Sequence, residues 1–203
     1  MLEFIDILNQ CIQNDKSTWN IFADKYGKFM KNSIKKVLSQ YQPPNQDNDA
    51  EEILHRIFVT LLEKDCRKLK NFKGDNEYSF LAYLKKMCVH CTIDYLRGQK
   101  THIELETRNY YLAEKRQDTN AINKIDQENL RNMLFSIKDD LPARHQFVFS
   151  LMYEEWRLKE IAQTMNLTLN AAHQLKFRVM NNIIKIAKKN NIYKQLKYWP
   201  CLN

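Results

Sequence analysis

An all-α protein built as two small helical domains is what this sequence of 203 residues predicts, and three observations predict it. Glycine and proline are scarce, 3 and 4 residues in all, so a turn-rich β fold and a glycine-rich phosphate loop both lack their usual material. Apolar residues make up 44% of the chain, enough for buried cores, and they recur at i, i+3, i+4 and i+7 rather than alternately. Between Thr101 and about Asp126 that periodicity weakens and the composition turns polar and acidic. The expected organisation is a helical bundle over 1–100, an acidic extended linker over 101–126, and a second bundle over 127–203 with a basic C-terminal tail.

Taken in order, residues 2–12 and 17–40 carry apolar residues at helical spacing, including Phe22, Tyr26, Phe29, Ile34, Val37 and Leu38. "YQPPNQDND" interrupts the pattern with two prolines and predicts an N-cap at Asn48 or Asp49. "DAEEILHRIFVTLLEK" then aligns Ala50, Ile53, Leu54, Ile57, Phe58, Leu61 and Leu62 on one stripe. Glu51, Glu52, His55, Arg56 and Glu63 fall on its flanks or far side, and acids in the first turn suit the positive end of a helix dipole. The loop "NFKGDNEYS" leads to "FLAYLKKMCVHCTIDYLRGQK", a long helical pattern ending near Gly98. Residues 127–189 read as four helices.

Charge and cysteine usage narrow the function classes. The net charge of +8 is uneven: residues 141–203 hold 10 Lys/Arg against 3 Asp/Glu, with no acid after Glu160, whereas residues 101–140 hold 6 against 8. A basic last third predicts a polyanionic partner, with a lysine-rich solvated face as the plainer alternative. No apolar run reaches the roughly 18–20 residues of a membrane span, and "MLEFIDILNQ" lacks the basic start and long apolar stretch of a signal peptide. Five scattered cysteines (11, 66, 88, 91, 201) suit reduced thiols in a cytoplasmic protein. "CVHC" puts Cys88 and Cys91 one helical turn apart but turns His90 away from them, which predicts packing rather than a zinc ligand set. No metal and no cofactor are expected.

"LKEIAQTMNLTLNAAHQL" has the pattern of a helix-turn-helix. Leu158, Ile161, Ala162 and Met165 form the inner face of its first helix, "MNL" the turn, and Thr168 a cap for the second. Ala172, Leu175, Val179, Ile183 and Ile186 share the inner side of that second helix. Asn170, His173, Gln174, Phe177 and Asn181 are left outward, with Lys176 and Arg178 nearer the edges. Polar tips at the start of a second helix suit major-groove base edges, and cations suit phosphates.

In the order and spacing of its segments the chain resembles the bacterial RNA polymerase sigma factors of the small two-domain, extracytoplasmic-function type, over nearly its whole length. "NDKSTWNIFADKYGKFM" resembles the opening helix and "DAEEILHRIFVTLLE" the polymerase-binding helix. "YLKKMCVHCTIDYLR" resembles the promoter −10 helix, which usually reads W-L-x-x-I-A-x-N-x-x-x-D-x-x-R. "LPARHQFVFSLMYEEWRLKEIAQTMNLT" resembles the −35 domain. The resemblance implies a sigma region 2-like bundle followed by a region 4-like bundle. It implies that Asp49, Glu51, Glu52, His55 and Arg56 dock the β′ clamp helices of core polymerase. For the melted −10 strand it implies Phe72, Asn76, Tyr78, Phe80, Tyr83, Lys86, His90 and Arg97, with aromatic rings as stacking platforms for unpaired bases. For the double-stranded −35 element it implies Thr168, Asn170, His173, Gln174, Lys176, Phe177 and Arg178, on a domain that also touches the β flap. It leaves room for an anti-sigma protein as a further partner. His90 stands where the family usually has Asn, Tyr83 where Trp is common, Ala171-Ala172 for Thr-Val, and Glu155 for the Gly that precedes the helix pair.

Two other classes compete. A stand-alone helix-turn-helix regulator would have no need of the "DAEE" surface. A recombinase or nuclease would need a nucleophile set among arginines, or clustered carboxylates for metal. Asp139-Asp140 is the only adjacent aspartate pair, and no such constellation accompanies it; the expected protein is not an enzyme.

Overall fold

The computed structural model describes residues 3–41, 43, 45–98, 132–191 and 193, and every regular element among them is a helix. The chain divides into two compact units, Met1–Leu105 and Glu106–Asn203. The expected linker over 101–126 lies outside the described residues.

In the first unit α1 (Phe4–Ile12) turns Ile7, Leu8 and Cys11 inward. The Asp15 carboxylate then accepts hydrogen bonds from the backbone N–H groups of Ser17 (3.3 Å) and Thr18 (3.0 Å), starting α2 (Lys16–Tyr41). Phe22, Tyr26, Phe29, Met30, Ile34, Val37 and Leu38 form its buried ridge. Burying an aliphatic or phenyl side chain stabilises by about 1.5–3 kcal/mol, so this ridge is a main source of the unit's cohesion. α3 (Gln46–Lys70) and α4 (Glu77–Gly98) pack on α2 and on each other.

Two helix starts differ from the sequence expectation. α3 begins after Asn45, whose carbonyl accepts from the Asp49 N–H at 2.9 Å, so neither Asn48 nor Asp49 is the cap. α4 begins at Glu77, with the Asn76 side chain accepting from the Ser79 N–H at 2.9 Å. The apolar stripe of α3 is also narrower than expected. Ala50, Ile53, Ile57 and Leu61 are buried, Leu54 and Phe58 half-buried, and Leu62 is 44% exposed. Directly after Leu62 the helix breaks: Glu63 is extended, and Lys64, Asp65 and Cys66 are left-handed, with φ of 51°, 58° and 56°. Non-glycine residues adopt this region at about 1–2 kcal/mol each. The break turns Cys66 and Leu69 into the core, the Cys66 thiol lying 3.6 Å from the Cys11 carbonyl, and Asp65 pairs with Lys70.

Among the described residues of the second unit are α5 (residues 132–139), α6 (Ala143–Tyr153), α7 (Leu158–Thr164) and α8 (Leu169–Lys189), matching the four helices expected from 127–189. Leu134, Ile137, Val148, Leu151, Val179 and Ile183 are among its buried side chains. Ile186, expected on the inner side of α8, is half-buried, and Ala187 takes the buried place.

Candidate nucleic-acid interface

α7 and α8 form the expected bihelical unit. The Glu160 carboxylate accepts from the Arg157 N–H at 2.7 Å and fixes the start of α7. Its end closes on Asn166 at φ 50°, with the Leu167 N–H donating to the Ala162 carbonyl at 2.8 Å, the reversal of a Schellman motif. Thr168 then caps α8 by accepting from the Ala171 N–H at 3.2 Å. His145 on α6 and Asn182 on α8 meet at 3.0 Å, which ties α8 to the rest of its unit. Burial pushes the His145 imidazole below its ordinary value, and the neighbouring Arg144 and Arg178 push the same way.

Opposite its buried ridge, α8 presents Asn170, His173, Gln174, Phe177 and Asn181, all exposed. Phe177 is 66% exposed, and Arg178 is exposed beside it. The face carries donors, acceptors and one aromatic ring but no acid, with Lys176, half-buried, and Arg178 at its edges. These are the groups that read base edges and hold phosphates.

The expected −10 residues are arranged differently from an open row of platforms. Phe80 is fully buried, with its ring 5.1–6.3 Å from those of Phe4, Phe22, Tyr26, Phe72 and Tyr83. It is a core residue, because its place on α4 points it at the α2 ridge. Phe72 is half-buried and packs edge-on to Phe80 at 5.1 Å and Phe4 at 6.2 Å. Its ring lies against Gly74, where a Cβ would stand 2.8 Å from Phe72 Cε2 and 2.9 Å from Ser79 Cβ. Gly74 is needed for this close approach; its φ is not positive. Asn76 is half-buried, and its amide oxygen is taken by the cap of α4. Tyr83 is half-buried and donates to the Lys68 carbonyl at 3.0 Å. Tyr78 and His90 are half-buried, Lys86 is exposed, and Arg97 is exposed and paired with Asp94 at 3.2 Å.

On α3, Glu51, Glu52, His55 and Arg56 are exposed as expected, but Asp49 is buried. It accepts a hydrogen bond from the Tyr95 hydroxyl of α4 at 2.8 Å, so it serves beneath the surface rather than on it. Glu51 pairs with Lys31, and Glu52 with Arg56 at 2.6 Å. Hydrogen bonds from Arg56 and then Tyr95 hold the Glu52 carboxyl below the usual range. Val59 and Leu62, 41% and 44% exposed, add apolar area one and two turns further along. Sequence periodicity placed Leu62 in the core, since nothing in "LLEKDC" announces the break behind it.

The thiols of Cys11, Cys66, Cys88 and Cys91 are all pushed up by burial, that of Cys11 to about 12. Compared with known proteins, the chain matches no family model and no curated sequence.

Proposed function

We propose that this chain is a transcription initiation factor of the extracytoplasmic-function sigma type. It binds core RNA polymerase, directs it to specific promoters and assists their opening. The observation that carries the reading is the α7–α8 pair: a capped second helix with an uncharged polar outer face, edged by cations, in a unit whose sequence holds no acid after Glu160. What favours an initiation factor over a stand-alone regulator is the preceding unit, with a charged, exposed α3 face and an α4 that resembles the −10 helix. In this reading the docking face is Glu51, Glu52, His55 and Arg56, extended by Val59 and Leu62. The −35 reader is the outer face of α8, and the −10 strand runs along α4 near Tyr78, Tyr83, Lys86 and His90.

The test is promoter opening. With core polymerase and a promoter found by mapping transcript starts, permanganate should modify thymines over about one turn of DNA upstream of the start. Tyr78→Ala should reduce this opening more than it reduces closed-complex binding. Phe80 is unsuitable for the experiment, because its removal would cost about 3–5 kcal/mol of core packing. A complex that binds its promoter and leaves every thymine unreactive would exclude the assignment.

A further inference from the structure

We infer that Tyr95 is a positioning residue for polymerase docking: from α4 it fixes the Glu52–Arg56 pair on the α3 surface, with buried Asp49 as its anchor. The inference rests on the docking role proposed above for the α3 face.

Four side chains carry it. The Tyr95 hydroxyl lies 2.8 Å from Asp49 Oδ1 and 3.1 Å from Glu52 Oε2. The other Glu52 oxygen, Oε1, is 2.6 Å from Arg56 Nη2. The Arg56 guanidinium in turn lies over the Tyr95 ring, 4.9 Å from its centre. Tyr95 is 6% exposed and Asp49 8% exposed, whereas Glu52 and Arg56 are exposed. The cluster therefore runs from the interface of two helices out to solvent.

An exposed glutamate and arginine one turn apart ordinarily exchange rotamers, and their pairing alone orders them weakly. Here both oxygens of Glu52 are engaged by different donors, and Arg56 is held on two sides, by a carboxylate and by an aromatic face. Tyr95 has a single hydroxyl hydrogen between two carboxylates, so the bond is shared and the ring must stay where both can reach it. Burial, reinforced by the two carboxylates, pushes the Tyr95 hydroxyl well above the ordinary tyrosine range, which keeps that hydrogen in place. A surface ordered in advance loses less freedom when a partner docks. Glu51 pairs instead with Lys31 of α2 and, among the described residues, has no such anchor in α4.

The experiment measures the affinity of the full chain for core polymerase in a double-mutant cycle of Tyr95→Phe and Glu52→Gln. The phenyl ring retains the contact with Arg56 and removes only the hydroxyl. Tyr95→Phe should weaken binding about threefold to tenfold, the worth of ordering one or two side chains. In the Glu52→Gln background the same change should have little further effect. Asp49→Asn, which retains an acceptor for Tyr95, should fall between wild type and Tyr95→Phe. Circular dichroism of each variant separates loss of fold from loss of positioning, and Asp49→Asn carries the test if Tyr95→Phe does not fold. A purely structural role would lower stability yet leave the dissociation constant unchanged, or change it equally in both backgrounds; either result overturns the inference. Wild-type protein that fails to bind core polymerase overturns the docking role itself. Binding that is indifferent to the hydroxyl removes only the positioning claim.

Discussion

Four described helix ends in this protein pass through a left-handed residue at the same place, and three of the four use asparagine. Asn14, Asn166 and Asn191 have φ of 62°, 50° and 58°, and Glu155, after α6, has φ of 58°. Around Glu155 the Trp156 N–H donates to the Leu151 carbonyl at 3.0 Å and the Glu155 N–H to Met152 at 2.9 Å, a complete Schellman closure. Asparagine tolerates this region and glycine enters it freely, whereas a glutamate Cβ crowds the following carbonyl. Glu155→Gly is therefore expected to stabilise the second unit by about 1 kcal/mol, read as a higher melting temperature; an unchanged or lower one would remove strain as the account of this site. Asp15 gives a pH-dependent counterpart. Hydrogen bonds from Thr18 and Ser17 hold its carboxyl down at about 2, against an ordinary 3.8. A depressed carboxyl stabilises the fold above its unfolded value and ceases to do so as pH falls through the folded one. The melting temperature of Asp15→Ala should thus lie a constant interval below wild type near neutrality. That interval should close as pH falls from 3.8 toward about 2.

At the scale of elements, the segment between α3 and α4 depends on one ring. Phe72 closes the aromatic core over Gly74, and a methyl group there would meet the ring edge and Ser79. Gly74→Ala should destabilise the first unit by about 1–3 kcal/mol in urea unfolding, because the added methyl meets both Ser79 and the edge of a ring that packs on Phe4 and Phe80. Equal midpoints for the two proteins would place the ring elsewhere. The helices themselves were legible in the sequence: apolar period located α2, most of α3, α4 and the four described helices of the second unit, and Thr168 announced its cap. What was not legible came from tertiary packing. "NFKGDNEYS" contains turn residues and aromatics, and spacing cannot separate a ring that stacks on a base from one that fills a core. Phe80 belongs to the second kind. Asp49, an acid beside two others, gave no local sign that a tyrosine 46 residues later would meet it in the interior. The break at Lys64–Cys66 has neither glycine nor proline to signal it.

At the scale of the whole molecule, charge is segregated along the chain, and this leads to a prediction about salt. Seven Lys/Arg follow Glu160 with no acid among them. If they neutralise phosphates, affinity for duplex DNA falls linearly on logarithmic axes as salt rises, each contact adding about 0.9 to the slope. Replacing Lys176 and Arg178 with Gln in the full chain should lower that slope by nearly two, with little change in which duplexes are preferred. Replacing Asn170, His173 and Gln174 should do the reverse. A preference that survives the second exchange would move the reading function off α8. The outer face of α8 was the most legible part of the site, because helical period alone assigns its members. The proposed docking face was half legible: the exposure of Glu51, Glu52, His55 and Arg56 was foreseen, the burial of Asp49 against Tyr95 was not.

The sulfur atoms give the first unit a built-in probe of its own opening. Cys11, Cys66 and Cys88 are buried, Cys91 is half-buried, and burial keeps all four protonated well above their usual range. Alkylating reagents consume thiolates, so these four cysteines of the folded first unit present almost nothing to attack near pH 8. With Cys201 changed to Ser, every remaining cysteine belongs to the first unit. Iodoacetamide should then be taken up only by molecules in which that unit has opened, at a rate set by how often it does so. Cys91, half-buried, is expected to react first and Cys88, the most deeply buried, last. Added core polymerase should slow the slowest of these reactions if docking holds α3 and α4 closed.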